Sequence, residues 1–147
     1  MPSDDPDLAR WEHFHHGADI GIRGVGLTRQ QAFEQAALAL SAVVTAPHKI
    51  QPQTSVRINI KRDRAGDDFL FVDWINALIF EMATRSMLFA RFQVVLDESG
   101  LSATVWGEPV DVARHCPAVE PKGATFTELA FRQTCDGIWI AQCVVDV

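Results

Sequence analysis

Alternation of apolar and polar positions marks the first element of the chain. In "ADIGIR", residues 18–23, Ala18, Ile20 and Ile22 fall on one face and Asp19, Gly21 and Arg23 on the other, which is the period-two pattern of a strand. Gly24 and Gly26 are expected to break it. The period then lengthens. Thr28 and Gln31 have the form of a capping box, and Phe33, Ala36, Ala37, Leu40 and Val44 recur at helical spacing before Pro47. This predicts an amphipathic helix over 29–45, ended by the proline. "TSVRINI", 54–60, alternates again, with Val56, Ile58 and Ile60 inward. After the polar loop "RDRAGDD", Asp67 or Asp68 stands where it can cap a second helix from Phe69. The broad stripe of Phe71, Trp74, Ile75, Leu78, Ile79 and Met82 predicts that this helix is well buried.

The C-terminal half reads as strands. "RFQVVLDESGLSATVWGE" has the form of a hairpin turning at "DESG". A loop with Pro109, His115, Pro117 and Pro121 follows. "GATFTELAFRQT" and "IWIAQCVVDV" form a last hairpin around Asp136-Gly137, a type I′ turn signal in which both central residues take φ > 0. Strand, helix, strand, helix and then four strands make an α+β fold: a mainly antiparallel sheet with two helices packed on one face, in a single compact domain.

Composition narrows the picture. The chain has 147 residues, 48% of them hydrophobic, enough for one core without metal or disulfide staples. No run approaches the roughly 20 apolar residues of a membrane helix. "MPSDDPDLAR" has no apolar centre and reads as a disordered lead over 1–10 rather than a signal peptide, leaving 11–147 as the domain. Net charge is −6, with 13 basic against 19 acidic residues, and the basic cluster is "KRDR" at 61–64. Strong direct binding to RNA or DNA is therefore disfavoured, although a local patch is compatible with these numbers. Cys116, Cys135 and Cys143 form no CxxC, which suits a reducing cytoplasm.

Candidate chemistry is sparse. "HHGADIGIRGVG", 15–26, is rich in glycine but lacks the G-x-G-x-x-G order and any Walker lysine, so its glycines shape a strand rather than cradle phosphate. His13 and His15 share one face if the segment is extended, yet no further zinc ligand accompanies them. No G-x-S-x-G elbow is present, and Cys116 beside His115 reads as incidental, because sequence neighbours in a loop seldom face one another. Two aspartates stand out. Asp19 sits in a strand pattern, and Asp146 closes the apolar run in which Ile138, Ile140, Gln142 and Val144 share its face. Either both are exposed strand ends, or the two strands meet and the carboxylates share a hard cation such as Ca²⁺ or Mg²⁺.

Six motifs, taken in order, resemble the archease family over about 11–147: "HGADIG" for H-T-A-D-[IV]-[GQ], the helix "TRQQAFEQAALAL", "WGE" at 106–108, "RH" at 114–115, "EPKGATF" at 120–126 and the closing "VVDV". The resemblance implies a cytoplasmic accessory protein, not an enzyme. Its partner would be an RtcB-type RNA-splicing ligase, whose guanylylation and multiple turnover it promotes. The alternatives are a chaperone of a tRNA methyltransferase, or a small metal-dependent hydrolase using His16 or His115. The resemblance implies a divalent cation, Ca²⁺ first and Mg²⁺ or Mn²⁺ otherwise, held by Asp19, Asp146 and the carbonyl of Val147. Lys122 matches the family's functional lysine and would contact partner or nucleotide. His15 stands where the family has Asp, Gly17 where it has Thr, and Pro121 where it has Val beside the lysine. The first removes a carboxylate, the second a possible supporting hydroxyl, and the third a backbone donor.

Overall fold

The computed structural model describes residues 8–147. Of the expected lead over 1–10, residues 1–7 lie outside the described residues, and the first strand opens at Arg10. The strands are β1 (Arg10–His16), β2 (Asp19–Gly26), β3 (Thr54–Lys61), β4 (Met87–Asp97), β5 (Gly100–Pro109), β6 (Gly123–Ala124), β7 (Ala130–Gln133) and β8 (Trp139–Asp146). The helices are α1 (Arg29–Val44), α2 (Asp67–Arg85) and the single turn α3 (Val112–His115). The fold is α+β, and every strand pair is antiparallel. The strands divide into two sheets. One has the order β1-β2-β8-β6, with β7 also on β8; the other has the order β3-β5-β4. Both long helices touch strands of both sheets. That is why α1 is buried on more than one side, at Ala32, Phe33, Ala39, Leu40 and Val43 among others. Among the described residues no helix is long and apolar enough to cross a membrane.

The capping box forms with a shift. Thr28 Oγ1 accepts from Gln31 N at 3.0 Å, while the Gln31 side chain reaches back to Leu27 N at 2.7 Å. At α2, neither Asp67 nor Asp68 is the cap. Gly66 holds that position with φ +99°, and both aspartates sit in the first turn, where they suit the positive end of the helix dipole. Asp67 is drawn aside by Arg29 and by Arg62 at 2.8 Å.

Three turns depart from the sequence pattern. Gly24 does not end β2; the strand runs through it and closes, as expected, at Gly26. Both are glycines because α1 lies directly on them. A Cβ at Gly24 would stand 2.0 Å from Ala32 O and 2.3 Å from Ala36 N. The last hairpin is not type I′, since only Gly137 has positive φ (+85°). Gly137 N donates to Thr134 O and Thr134 N to Ile138 O, which makes a longer turn finished by a left-handed glycine. The expected strand at 123–134 is interrupted over 125–129, where Glu128 takes φ +55° and Leu129 N donates to Phe126 O. By contrast, "DESG" turns as expected, with Asp97 Oδ1 accepting from Ser99 N and Gly100 N.

Because the α1–β2 seam has no room for a methyl group, Gly24→Ala is expected to destabilise the fold by about 2–3 kcal/mol. Gly17→Ala, at a turn glycine with φ +61° and nothing within 4 Å of its would-be Cβ, should cost less. Urea melts of both variants measure the difference.

Candidate metal centre

The pairing of β2 with β8 builds the site. Their register runs from Gly26↔Trp139 to Ile20↔Val145, so the next step sets Asp19 opposite Asp146. The contact is direct: Val147 N donates to Asp19 Oδ1 at 3.4 Å, between residues 128 positions apart. On the other edge of β8, Gly123 pairs with Asp146, and Lys122 N donates to Asp146 O at 2.8 Å. Three strand ends thus bring Asp19, Lys122, Asp146 and Val147 together, and Asp19 is half-buried while Lys122 and Asp146 are exposed. Pro121 is buried, and its lack of an N–H leaves the Lys122 anchor intact. Gly17 takes φ +61° in the two-residue turn between β1 and β2, a conformation glycine adopts freely and threonine does not.

Asn76 was not legible as part of this region. From the exposed side of α2, its Oδ1 accepts from Ala124 N at 2.8 Å and so holds β6 in place. Its only signal is a polar residue within an apolar helix.

The donor set suits a hard cation. Two carboxylates and a main-chain carbonyl are oxygen ligands of the kind Ca²⁺ and Mg²⁺ take, and neither cysteine nor histidine is needed. Among the described residues no group of three or more His, Cys, Asp or Glu side chains is placed to hold a metal. Among the described residues an ion here would have the two aspartate carboxylates as side-chain ligands, with carbonyls, waters or a partner to supply the rest.

The other candidates lie elsewhere. His13 Nε2 donates to Ala39 O at 2.8 Å, a bond that ties β1 to α1. His15 is exposed, and His16 lies opposite Asp19 in the β1–β2 register. His115 and Cys116 point apart: the histidine is buried, the cysteine exposed. Burial pushes the Cys143 thiol up to about 12, so it stays protonated.

His115 belongs to a second polar cluster. The "WGE" and "RH" motifs meet here: Arg114 grips both oxygens of buried Glu108, with Nη1 to Oε2 at 3.0 Å and Nη2 on Oε1. Gln51 N donates to the same carboxylate at 2.5 Å. Asp111 N donates to His115 Nδ1 at 2.9 Å, so the ring proton sits on Nε2, which donates to Glu108 Oε2 at 3.0 Å. Thr45 Oγ1 then donates to His115 O at 2.6 Å, fastening this cluster to the end of α1. Every strong donor around Glu108 is used within the protein. The cluster therefore clamps the loop after β5, and His115 is not free to act as a catalytic base.

A family model described as the Archease protein family matches residues 11–147. The chain is similar to protein archease of Pyrococcus furiosus, 32% identical over 146 residues, covering 95% of this chain and all of that one. It is similar to protein archease of Methanosarcina barkeri, 33% identical over 143 residues, covering 94% of this chain and 96% of that one. The solution structure of Methanobacterium thermoautotrophicum protein 1598 superposes with a TM-score of 0.73 at 26% identity, covering 93% of this chain and 98% of that one.

The buried clamp has a pH signature. The Arg114 guanidinium, and after it Gln51 N–H and His115, hold the Glu108 carboxyl down to about 2, against the desolvation that would raise it. A carboxyl lowered from 4.5 contributes stability that is fully present above pH 4.5 and is lost as pH falls towards 2. Denaturant melts across that window should show the wild type losing stability more steeply than Glu108→Gln, whose amide does not titrate. Parallel slopes would mean that the clamp does not form.

Proposed function

The chain belongs to the archease family, and from that membership and the three converging strand ends we propose that it is a divalent-cation-binding accessory protein that activates an RtcB-type RNA ligase. The carrying observation is the junction at which Val147 N meets Asp19 and Lys122 N meets Asp146. Asp19 and Asp146 hold the ion through their carboxylates, and Val147 adds its carbonyl. When bound, the ion supplies positive charge for a phosphate or carboxylate to engage. Half-buried Asp19 gives a fixed oxygen, and exposed Asp146 gives one that a partner can approach.

The backbone does the positioning. Asp146 is bonded on one side through β6 and Lys122 N, while its β8 neighbour Val145 pairs with Ile20. The end of β8 is thus fixed from both edges, with the main chain of exposed Lys122 bonded to it. With two side-chain ligands the site leaves positions for another molecule, which is useful in a protein that acts on a partner. Ca²⁺ is the favoured ion, because it accepts irregular oxygen shells that Mg²⁺ tolerates poorly.

Three variants test this reading. Asp19→Ala and Asp146→Ala are expected to weaken Ca²⁺ binding at least tenfold in calorimetry and to abolish stimulation of guanylylation and multiple turnover by an RtcB-type ligase from the same genome. Lys122→Ala is expected to keep Ca²⁺ affinity within about threefold and still lose stimulation. Unchanged calcium binding in both aspartate variants sinks the site; unchanged ligase turnover with the wild-type protein sinks the function.

A further inference from the structure

The outer face of the β3-β5-β4 sheet differs in charge from the rest of the chain. Its inner positions, Val56, Ile58, Val94, Ala103 and Val105, are buried in the core. By alternation, the outward positions of β3 are Ser55, Arg57, Asn59 and Lys61, all exposed. On β4, a bulge at Ala90 shifts the register between Phe89 and Arg91. Without it the two residues would share a face. With it Phe89 is fully buried and Arg91 turns outward. Arg91 then pairs with Trp106 of β5, its guanidinium 4.8 Å from the ring centroid.

The result is an open sheet face on a chain of net charge −6. It carries Arg57, Lys61 and Arg91, and among the described residues none of these three makes an ion pair within 4.0 Å. Asn59, Gln93 and Thr104 add hydrogen-bonding groups of no charge. Of the carboxylates at outward strand positions, Asp97, at the hairpin end, has its Oδ1 taken by Ser99 and Gly100, and Glu108, at the other end of β5, is buried and held by Arg114. A depression of about 520 Å³ opens beside Asn59, Lys61 and Ser102, with Arg62 and the carboxylate of Glu98 also on its lining.

We propose that this face binds single-stranded RNA through Arg57, Lys61 and Arg91 on its phosphates and through base stacking on the Arg91–Trp106 pair. The chemistry commits the choice. An apolar partner would want a hydrophobic centre, and outward-facing Val95 alone does not make one. A polyanion wants unpaired cations, and unpaired bases want a flat aromatic or guanidinium surface; the face offers both. An open sheet presenting a ring among polar side chains also suits splayed single strands better than a duplex, whose bases are hidden from it. That the strand is RNA rather than DNA rests on the proposed role beside an RNA ligase. Three cations give weak, salt-sensitive binding, in keeping with the acidic composition.

The test uses the protein alone, without ligase or added divalent ion, so that its result is independent of the metal reading. A fluorescein-labelled uridine oligomer of about 12 nucleotides is titrated by anisotropy. The expected result is binding whose log affinity falls with log salt at a slope of about −2, as three phosphate contacts on a single strand require. Arg57→Glu with Lys61→Glu should weaken it at least tenfold, and Trp106→Ala at least fivefold, while Trp106→Phe, which keeps a stacking ring, should stay within about twofold. Thermal melts identify any variant that fails to fold; if Trp106→Ala is one of them, the surface charge reversals decide the outcome. No binding at low salt overturns the proposal. So does binding that ignores all the variants, or charge reversals that spare the RNA but abolish ligase stimulation, since the face would then be a protein-docking surface. RNA binding with no effect on any ligase would instead leave this proposal standing and remove the function above.

Discussion

The antiparallel pairing of β2 with β8 is the constraint on which the rest of the molecule depends. β8 is bonded along both edges, by β2 on one side and by β6 and β7 on the other. It therefore fixes the register of segments from the two ends of the described chain at once. A slip of one residue would turn Ala141, Cys143 and Val145, all fully buried, to the opposite face. The core thus locks the register, and the register sets Asp19 opposite Asp146. The candidate site needs no separate scaffold; it is the end of a ladder whose middle is held by hydrophobic burial.

The same ladder explains the small residues of α1. Gly24 on β2 and Ala32, Ala36 and Ala37 on the helix let the two backbones approach until no side chain fits between them. Such closeness seats α1 directly on β2, and polar anchors between elements follow. Trp74 Nε1 donates to Phe33 O, Ser41 Oγ to Phe89 O and His13 Nε2 to Ala39 O. Each anchor ends on a main-chain carbonyl, so side chains tie the backbones of different elements together.

Much of this was legible in the sequence. Periodicity located both long helices and most strands, because a core-facing stripe leaves its period in the chain whatever the topology. Turn details were not. Gly24 looks like a strand breaker in one dimension and is a packing residue in three, and Asp136-Gly137 has the composition of a type I′ turn while the hydrogen bonds of Thr134 select a longer one. The bulge at Ala90 has no sequence signature, yet it decides that Phe89 is core and Arg91 surface. Asp19 and Asp146 were each odd for a strand, but nothing local could pair them. That pairing came from resemblance to a family, and the β2–β8 register is what physically brings them together. The division into two sheets was equally hidden, since alternation says which face a residue takes and not which strand lies beside it.

Net charge does not describe each face of the surface, for an electrostatic reason. At physiological salt, charges interact over about 8 Å before screening removes most of the effect. Neighbouring strands lie about 5 Å apart, so a three-stranded face is a little over one screening length across. A phosphate on that face responds to Arg57, Lys61 and Arg91 and hardly at all to carboxylates on the far side of the molecule. The sum over the chain averages two environments that no ligand experiences together. Strand alternation sorts charges by face as strictly as it sorts apolar residues, and on β3, where Arg57 and Lys61 point outward between buried Val56, Ile58 and half-buried Ile60, the same period that builds the core also assembles the cations.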